Sequence, residues 1–175
     1  MLYPRVIPCL LLGPDGLVKT VQFNNAKYIG DPINAVRIFN EKEADELIVL
    51  DIDATVQRCE PNYSLIRKLA RECQMPLCYG GGVCSVDQFE RIVGLGVEKV
   101  AVSSAAVERL SLVEEAAKVV GSQSVVVVSD AKKKRLANRY EVVTHNGSRS
   151  TKLDVGKFAS DVAACGAGEV VVNSV

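Results

Sequence analysis

The stretch ADELIVLDIDA (44–54) runs from an acidic residue through a block of apolar residues to a polar end, and this order recurs along the chain. GVEKVAVSSAA (96–106) and GAGEVVVNSV (166–175) have the same order, at irregular spacing. Short runs of β-branched and apolar residues between turn residues are typical of buried β-strands. The recurring unit therefore predicts a strand at each of these places, followed by a polar loop.

Three further runs have a similar composition, so the sequence predicts six strands. They are RVIPCL (5–10), ELIVLDI (46–52), PLCYG (76–80), KVAVS (99–103), SVVVVSD (124–130) and EVVVN (169–173). Amphipathic helical patterns lie between them, at 33–44, 63–74, 85–96, 112–121 and 153–165. Strands that alternate with helices indicate βα units and a parallel sheet that is buried on both faces.

The segment RYEVVTHNGSRSTKL (139–153) departs from this alternation and predicts a β-hairpin inserted after the fifth strand. Asn146-Gly147 lies at its centre, and Asn-Gly is the dipeptide that tight hairpin turns favour. The chain's single histidine, His145, precedes this dipeptide. We therefore interpret His145 as a turn residue rather than as a catalyst or a ligand.

Two α/β folds could produce the alternation of strands and helices. A dinucleotide-binding Rossmann sheet is disfavoured because no G-x-G-x-x-G follows the first strand. We expect a (βα)8 barrel of the TIM type instead, with residues 1–175 forming a single, partial barrel domain. A complete barrel typically needs about 250 residues, so only about six of its βα units fit in this length.

Composition limits the partners of the chain. Lys plus Arg and Asp plus Glu both number 21, and aromatic residues make up 5%, so we expect neither a nucleic-acid nor a membrane partner. No apolar run is long enough to span a membrane and no signal-peptide pattern is present, which favours the cytoplasm. The six cysteines include no C-x-x-C pair, so we expect reduced thiols, with no metal site and no cofactor.

Two loops after neighbouring predicted strands contain candidate phosphate-binding residues. Gly81 and Gly82 follow the third strand, where glycines let the backbone N–H groups approach a phosphate closely. Ser103 and Ser104 occupy the matching place after the fourth strand. Glycine-rich turns and serine caps are also common structural features. It is the adjacency of the two loops that favours a phosphate site.

Three carboxylates end predicted strands on the edge where barrel enzymes hold their active sites: Asp51 and Asp53 after the second strand, and Asp130 after the fifth. A carboxylate there can act as a general acid or base. Lys19, beyond the first-strand loop, could pair with one of them or with a ligand phosphate. The alternative is that these carboxylates only anchor loops by accepting hydrogen bonds, and for Asp53 we favour that alternative.

Charged residues also mark the opposite edge of the predicted sheet. Glu46, Lys99 and Glu169 begin the second, fourth and sixth strands. Alternate strands of a barrel contribute to the same interior layer, so the three side chains could converge with Arg5. Buried charges are costly unless they are paired. The cluster is therefore either a structural set of salt bridges or a polar gate at the mouth of a passage through the barrel.

Over essentially its whole length, the chain resembles the cyclase subunit of imidazole glycerol phosphate synthase. The matching segments are RVIPCL, LVKTVQF, GDPINA, ADELIVLDI, PLCYGGGV, GVEKVAVSSAAVE, GSQSVVVVSDAK, YEVVTHNG and GAGEVVVNS. The resemblance implies a (βα)8 barrel that receives ammonia through its interior from a glutaminase partner. It also implies a lyase-type cyclase reaction on a phosphorylated ribonucleotide, a step of histidine biosynthesis.

Specific roles follow from the resemblance, residue by residue. The implied gate of the ammonia passage consists of Arg5, Glu46, Lys99 and Glu169, and the implied first phosphate site includes Gly82, Ser103 and Ser104. The family usually has Asn-Thr at the two serine positions, and its second phosphate site has no counterpart in these residues. Asp130 matches one of two catalytic aspartates, and Lys19 and Asp51 match residues that support catalysis.

The family's other catalytic aspartate falls on Leu11, which cannot transfer a proton. Together with the pattern CLLL…LVKT (9–12 and 17–20), this departure resembles a paralogous branch linked to bacterial surface-polysaccharide (lipopolysaccharide) synthesis. The resemblance to that branch implies a supply of ammonia for amidating a sugar, through a third, sugar-amidating protein. Two alternatives remain: an ordinary cyclase of histidine biosynthesis that relies on Asp130 alone or with Asp53, and a non-catalytic barrel that docks and activates the glutaminase.

Overall fold

The computed structural model describes residues 4–21, 23–134 and 139–175. The strands of this part of the chain are β1 (Cys9–Gly13), β2 (Gly16–Val21), β3 (Asn24–Gly30), β4 (Leu47–Asp51), β5 (Leu77–Gly80), β6 (Lys99–Val102), β7 (Val125–Lys133), β8 (Tyr140–Thr144), β9 (Arg149–Asp154) and β10 (Glu169–Ser174). Its helices are α1 (Pro32–Glu41), α2 (Ala54–Gln57), α3 (Tyr63–Glu72), α4 (Val86–Val93), α5 (Ser104–Glu108), α6 (Ser111–Val120) and α7 (Val155–Ala164).

Six strands pair in parallel in the order β1-β4-β5-β6-β7-β10. Helices follow β4, β5 and β6 in the chain, as expected for crossover connections between parallel strands. The α/β class and the parallel sheet predicted from the sequence are thus confirmed, and the arrangement is that of a partial (βα)8 barrel.

Alternate residues of the parallel strands face two different apolar layers, because successive side chains of a strand point to opposite faces. Leu47 and Val49 of β4 belong to the large core beneath the helices. Ile48 lies on the other face, in a smaller cluster inside the curved sheet that is completed by Cys78, Ala101, Val126 and Val128. Both faces are therefore buried, which explains the continuous apolar runs in the sequence.

The first strand differs from its prediction, which placed it at residues 5–10. It begins at Cys9 instead, directly after Pro8, and continues to Gly13. A proline has no N–H to donate to a ladder, so the segment that contains Pro8 does not extend the strand. No strand was predicted within residues 14–30. Antiparallel strands β2 and β3 follow β1 as an added edge, with Leu17 and Val18 buried.

The hairpin after the fifth parallel strand is confirmed, as β8 and β9, with residues 145–148 at its turn. It pairs with β7, which runs three residues beyond its predicted end at Asp130 because the extension forms an antiparallel ladder with β8. The short helices α2 and α5 were missed, since four or five residues carry too little periodicity to detect. Across the described ranges, the helices are too short or too polar to cross a membrane.

The glycine loop after β5 generates a stability prediction. Gly81 has φ +117°, and a Cβ there would lie 2.7 Å from the Cβ of Asp51. We expect Gly81→Ala to lower the free energy of unfolding by about 2–4 kcal/mol, because backbone strain and a steric clash add together. Urea denaturation followed by circular dichroism measures this change.

Gly156→Ala is the matched control. Gly156 lies in α7, and a Cβ there would be 3.4 Å from its nearest neighbour, Asp154 Oδ1. Alanine favours a helix over glycine by up to about 1 kcal/mol, so this variant should be as stable as the parent or more so. Equal stabilities of the two variants would contradict the strain assigned to Gly81.

Candidate functional site

A cavity of about 1090 Å³ opens at the carboxyl ends of the parallel strands. The structure brings most of the sequence-predicted site residues to its wall, namely Asp51, Gly81, Gly82, Ser103, Ser104 and Asp130. Leu11 also lines this cavity, so the position where the resemblance expects an aspartate does face the site. Lys19 and Asp53 are not among the lining residues.

Asp130 is a cavity carboxylate whose pKa is raised by its surroundings. Burial raises its pKa, and a hydrogen bond from Asn173 Nδ2 to its Oδ1 at 2.8 Å lowers it in part, so that the pKa stays above its ordinary value. A carboxyl group with a raised pKa can accept and return a proton closer to neutral pH. Asp130 therefore has the chemistry of a general acid or base.

Asp51 has a structural task at the start of α2. Its Oδ1 accepts hydrogen bonds from the backbone N–H groups of Asp53 at 3.1 Å and Ala54 at 3.0 Å. Loop anchoring, which we favoured for Asp53, is thus performed by Asp51. A part for Asp51 in catalysis stays a prediction.

Lys19 lies on β2, opposite Lys27 of β3, with its side chain exposed. Among the described residues it forms no ion pair with the carboxylates with which it was expected to pair, although its neighbour Thr20 lines the cavity. The predicted role of Lys19 stays a prediction.

The loop of Gly81 and Gly82 (the glycine loop) and the loop of Ser103 and Ser104 (the serine loop) both line the cavity, after the neighbouring strands β5 and β6. Gly82 has φ +72°, and its N–H donates a hydrogen bond to Thr55 Oγ1 at 3.4 Å. A Cβ at Gly82 would lie 2.6 Å from the backbone oxygen of Cys59, so glycine is required for the loop after β4 to pack here. Ser104 is 8% exposed. Phosphate binding by these loops stays a prediction, because close packing explains the glycines as well.

The hairpin turn contributes residues that the sequence analysis did not assign to the site. His145 lies in the turn as predicted, but it also lines the cavity, and its backbone N–H donates to Ser104 Oγ at 3.5 Å. Asn146 Nδ2 donates to the backbone oxygen of Ile52 at 3.1 Å. These partners lie 41 and 94 positions away in sequence, so no local pattern could have placed the turn over the cavity.

Glu60 holds the loop between α2 and α3 against the start of α4. Its two carboxylate oxygens accept hydrogen bonds from Tyr63 Oη at 2.9 Å and Gln88 Nε2 at 3.0 Å. The hydrogen bonds from Gln88 and Tyr63 lower the pKa of Glu60. This carboxylate therefore shapes one wall of the cavity and was not found from the sequence.

At the opposite edge of the sheet, Arg5, Glu46, Lys99 and Glu169 form a closed ring of alternating charge, here called the four-residue ring. Lys99 Nζ donates to Glu46 Oε2 at 2.7 Å and to Glu169 Oε1 at 2.8 Å. Arg5 contacts the same two carboxylates, at 3.2 Å and 2.8 Å. The four side chains converge as the spacing suggested. Whether they act as a gate stays a prediction.

Pairing keeps the charges of the ring in place despite burial. Burial raises the pKa of Glu169, but hydrogen bonds from Lys99 and Arg5 outweigh it and hold that pKa below its ordinary value. For Lys99, burial lowers the pKa, but hydrogen bonds with Glu169 and Glu46 outweigh burial and hold that pKa above its ordinary value. Glu46 is 1% exposed, and its Oε1 has no hydrogen-bond partner among the described residues.

An apolar interior separates the four-residue ring from the cavity. Ile48, Cys78 and Val126 belong to this interior, and burial raises the pKa of the Cys78 thiol far above its ordinary value. Ala101 and Val128 belong both to the interior and to the cavity wall. The interior is thus continuous with the cavity, and it contains no ionised side chain among the residues that form its cluster.

Removing the lysine of the ring should destabilise the fold. In Lys99→Met, the buried carboxylate of Glu46 keeps only Arg5 as a cationic partner. We expect the free energy of unfolding to fall by about 2–3 kcal/mol, because an incompletely compensated buried charge is costly. Urea denaturation at neutral pH is the measurement.

The same substitution at Lys118 is the control. Lys118 pairs with Glu114 on α6, with both side chains more than half exposed. Exposed pairs of this kind contribute only about 0.3–0.5 kcal/mol. A loss for Lys99→Met no larger than that for Lys118→Met would show that the ring does not depend on its lysine.

Asn173→Ala tests the electrostatics of Asp130. The change removes the hydrogen bond that lowers the pKa of Asp130, so that pKa should rise further above its ordinary value. Carbon-13 NMR of the side-chain carboxyl group through a pH titration measures it. Ser174→Ala, on the same strand, should leave the titration unchanged, and an unchanged curve for Asn173→Ala would contradict the assignment.

Comparison with known proteins agrees with this architecture. The family model described as "Histidine biosynthesis protein" matches residues 5–175. A protein of Leptospira borgpetersenii, provisionally named imidazole glycerol phosphate synthase subunit HisF, is 56% identical over 100% of this chain and 69% of its own length. A protein of Pseudomonas aeruginosa, provisionally named subunit hisF2 of the same synthase, is 51% identical over the same shares.

A third relative is named as a subunit of this synthase without being marked as provisional. The imidazole glycerol phosphate synthase subunit HisF of Lactococcus lactis is 40% identical over 99% of this chain and 67% of its own length. The chain thus spans about two thirds of the length of these relatives. With the family model matching nearly the whole chain, it belongs to the histidine biosynthesis protein family, within the HisF-type cyclases, which are enzymes of the lyase type.

Proposed function

We propose that this chain is an ammonia-handling barrel subunit of the imidazole glycerol phosphate synthase type. It takes ammonia from a glutaminase docked at the four-residue ring and conducts it through the apolar interior to the cavity. There the ammonia is used on a phosphorylated substrate, or passed to a third, sugar-amidating protein in cytoplasmic steps of surface-polysaccharide synthesis. The observation that carries the proposal is that the ring and the cavity lie at opposite ends of one apolar interior.

The interior suits ammonia better than ammonium. Ile48, Ala101 and Val126 present only apolar side chains, and moving an unpaired charge into such surroundings is costly. Ammonia is small and uncharged, so the same surroundings admit it at much lower cost. An apolar interior therefore favours delivery of the nucleophilic form to the cavity.

The ring supplies a means of control at the entrance. Each of its four side chains has two oppositely charged partners in the ring, so moving one of them leaves every other member still paired. Lys99 is the more buried of the two cations, and its displacement would open the way towards Ala101, two residues further along the same face of β6. Docking of a glutaminase at this edge is the event that we expect to move it.

The cavity supplies the acceptor site. Its volume of about 1090 Å³ suffices for a ligand larger than a simple phosphate, since pockets for small molecules usually measure about 300–1,000 Å³. Gly81, Gly82, Ser103 and Ser104 would hold a phosphate group, and Asp130 would transfer protons. The wall at Leu11 lacks the second acid or base, which motivates a reaction other than the cyclisation.

The named relatives support a paralogue. Two of them are more than 50% identical, and one of these carries the name hisF2, whereas the Lactococcus lactis HisF subunit is 40% identical. An ordinary cyclase of histidine biosynthesis is the second candidate, favoured by the family match. It would depend on Asp130 alone, since Asp53 does not line the cavity. A barrel that only activates the glutaminase is the third.

The Leu11 position separates these candidates. Ammonia-dependent turnover of the imidazole-precursor ribonucleotide is measured for the parent, Leu11→Asp and Leu11→Asn, using the full gene product. We expect no turnover by the parent, and turnover by Leu11→Asp at least about 100-fold above Leu11→Asn, because a positioned general acid or base contributes about 10²–10⁴-fold. Asparagine matches the shape of aspartate without its proton chemistry. Turnover by the parent would establish the ordinary cyclase instead.

The glutaminase partner is tested separately. Glutamine hydrolysis by a glutaminase of the same organism is measured with and without the barrel, and with Lys99→Met. We expect stimulation by the parent and an uncoupling of ammonia delivery from hydrolysis in the variant. A barrel that neither binds nor stimulates any glutaminase would refute the proposal.

A further inference from the structure

The turn of the β8–β9 hairpin is held over the cavity by two tethers that reach different loops. The N–H of His145 donates to Ser104 Oγ at 3.5 Å, next to the proposed phosphate loops. The side chain of Asn146 donates to the backbone oxygen of Ile52 at 3.1 Å, beyond the end of β4. The turn therefore forms a fixed wall of the cavity, rather than a free surface loop.

Two residues of the turn have a left-handed backbone conformation. His145 has φ 52° and Asn146 has φ 53°, both in the left-handed region. Asparagine tolerates this conformation comparatively well, but it is uncommon for most other residues with a side chain. Such conformations persist where the surroundings enforce them, and they cluster at functional sites. Here the turn brings the chain's single imidazole to the cavity wall.

The imidazole ring is oriented by one of its nitrogens. Nδ1 lies 3.2 Å from Oγ1 of Thr144, a residue that is 4% exposed. Nε2, by contrast, has no hydrogen-bond partner in residues 4–21, 23–134 and 139–175. A ring that is held through Nδ1 leaves Nε2 to interact with a ligand in the cavity.

A cation lines the same cavity as the imidazole. Arg149, the first residue of β9, pairs across the ladder with Thr144 and lines the same cavity. It forms no ion pair with any residue that the structure describes. A guanidinium group matches the geometry of a phosphate and binds it through two parallel hydrogen bonds.

Three of the four carboxylates that line the cavity accept hydrogen bonds from the protein itself, whereas Glu108, at the end of α5, has no such bond among the described residues. Asp51 accepts from backbone N–H groups, Asp130 accepts from Asn173, and Glu60 accepts from Tyr63 and Gln88. The hairpin residues that line the cavity include the cation Arg149 and no carboxylate, which favours an anion on that side.

We propose that the hairpin turn is the cationic wall of an anion site. Nε2 of His145 and the guanidinium group of Arg149 donate hydrogen bonds to the phosphate monoester of a ligand whose phosphate also contacts Ser104. This proposal rests on the proposed function, because it describes how the phosphorylated ligand of that function is held. It adds two ligand-contacting residues that neither the spacing of the sequence nor the resemblance pointed to.

The single histidine makes the proposal directly measurable. His145 is the single histidine of these 175 residues, and its imidazole signals are identified in carbon–proton NMR as those absent from His145→Asn. Inorganic phosphate is titrated at constant ionic strength, with chloride as the replaced anion. We expect the ring signals of His145 to shift saturably with phosphate, at the dissociation constant that calorimetry gives.

Two substitutions separate binding from folding. His145→Asn keeps the backbone N–H that binds Ser104, and asparagine tolerates the left-handed conformation of the turn. We expect the dissociation constant for phosphate to rise about tenfold in His145→Asn and at least tenfold in Arg149→Gln, because hydrogen bonds to a charged group are the strong ones. Arg139→Gln is the control, since Arg139 lines a different depression, near α7.

The outcomes distinguish this inference from the proposed function. One outcome is that both variants bind phosphate as tightly as the parent does, and that phosphate does not shift the His145 signals of the parent. That outcome refutes the hairpin wall and leaves the glycine and serine loops as the phosphate site. If the parent binds no phosphate yet stimulates a glutaminase, the anion site is refuted and ammonia handling remains.

Discussion

Pairing of buried charge is the constraint on which the rest of this structure depends. Glu46 is almost wholly withdrawn from water, and Lys99 and Arg5 lie against it as cationic partners, which a buried carboxylate needs because an unpaired buried charge is costly. The ring also connects distant parts of the chain, since Arg5 precedes β1 and Glu169 begins β10. These two strands are at opposite ends of the parallel series, so the ion pairs hold the curved sheet together across its interior.

The interior between the ring and the cavity has consequences for function. Its side chains come from alternate positions of the parallel strands, such as Ile48 and Val126, and they form a layer without charge. A charged ring at one end and a polar cavity at the other are therefore separated by apolar surroundings that penalise ions. That separation makes the arrangement suited to an uncharged nucleophile such as ammonia, the cargo that we propose.

The residues that line the cavity come from two kinds of element, the ends of the parallel strands and the antiparallel β8–β9 hairpin. Asp130 and the serine loop come from the ends of parallel strands, the usual source of barrel active sites. His145 and Arg149 come from an antiparallel hairpin that is added to this plan and folded back over the cavity mouth. The hairpin adds contacts to the site without altering the parallel strands, and it lines the same cavity as Leu11.

The sequence by itself determined the class of the fold, the six parallel strands and the edge at which Asp51 and Asp130 lie, because periodicity and strand ends are local properties. It also predicted the convergence of Arg5, Glu46, Lys99 and Glu169, since alternate strands of a barrel share interior layers. It misplaced the first strand and missed β2, β3 and the cavity roles of Glu60 and His145. Those depend on contacts between residues far apart in the chain, as in the tether of Asn146 to Ile52, and only the tertiary structure decides which distant groups meet.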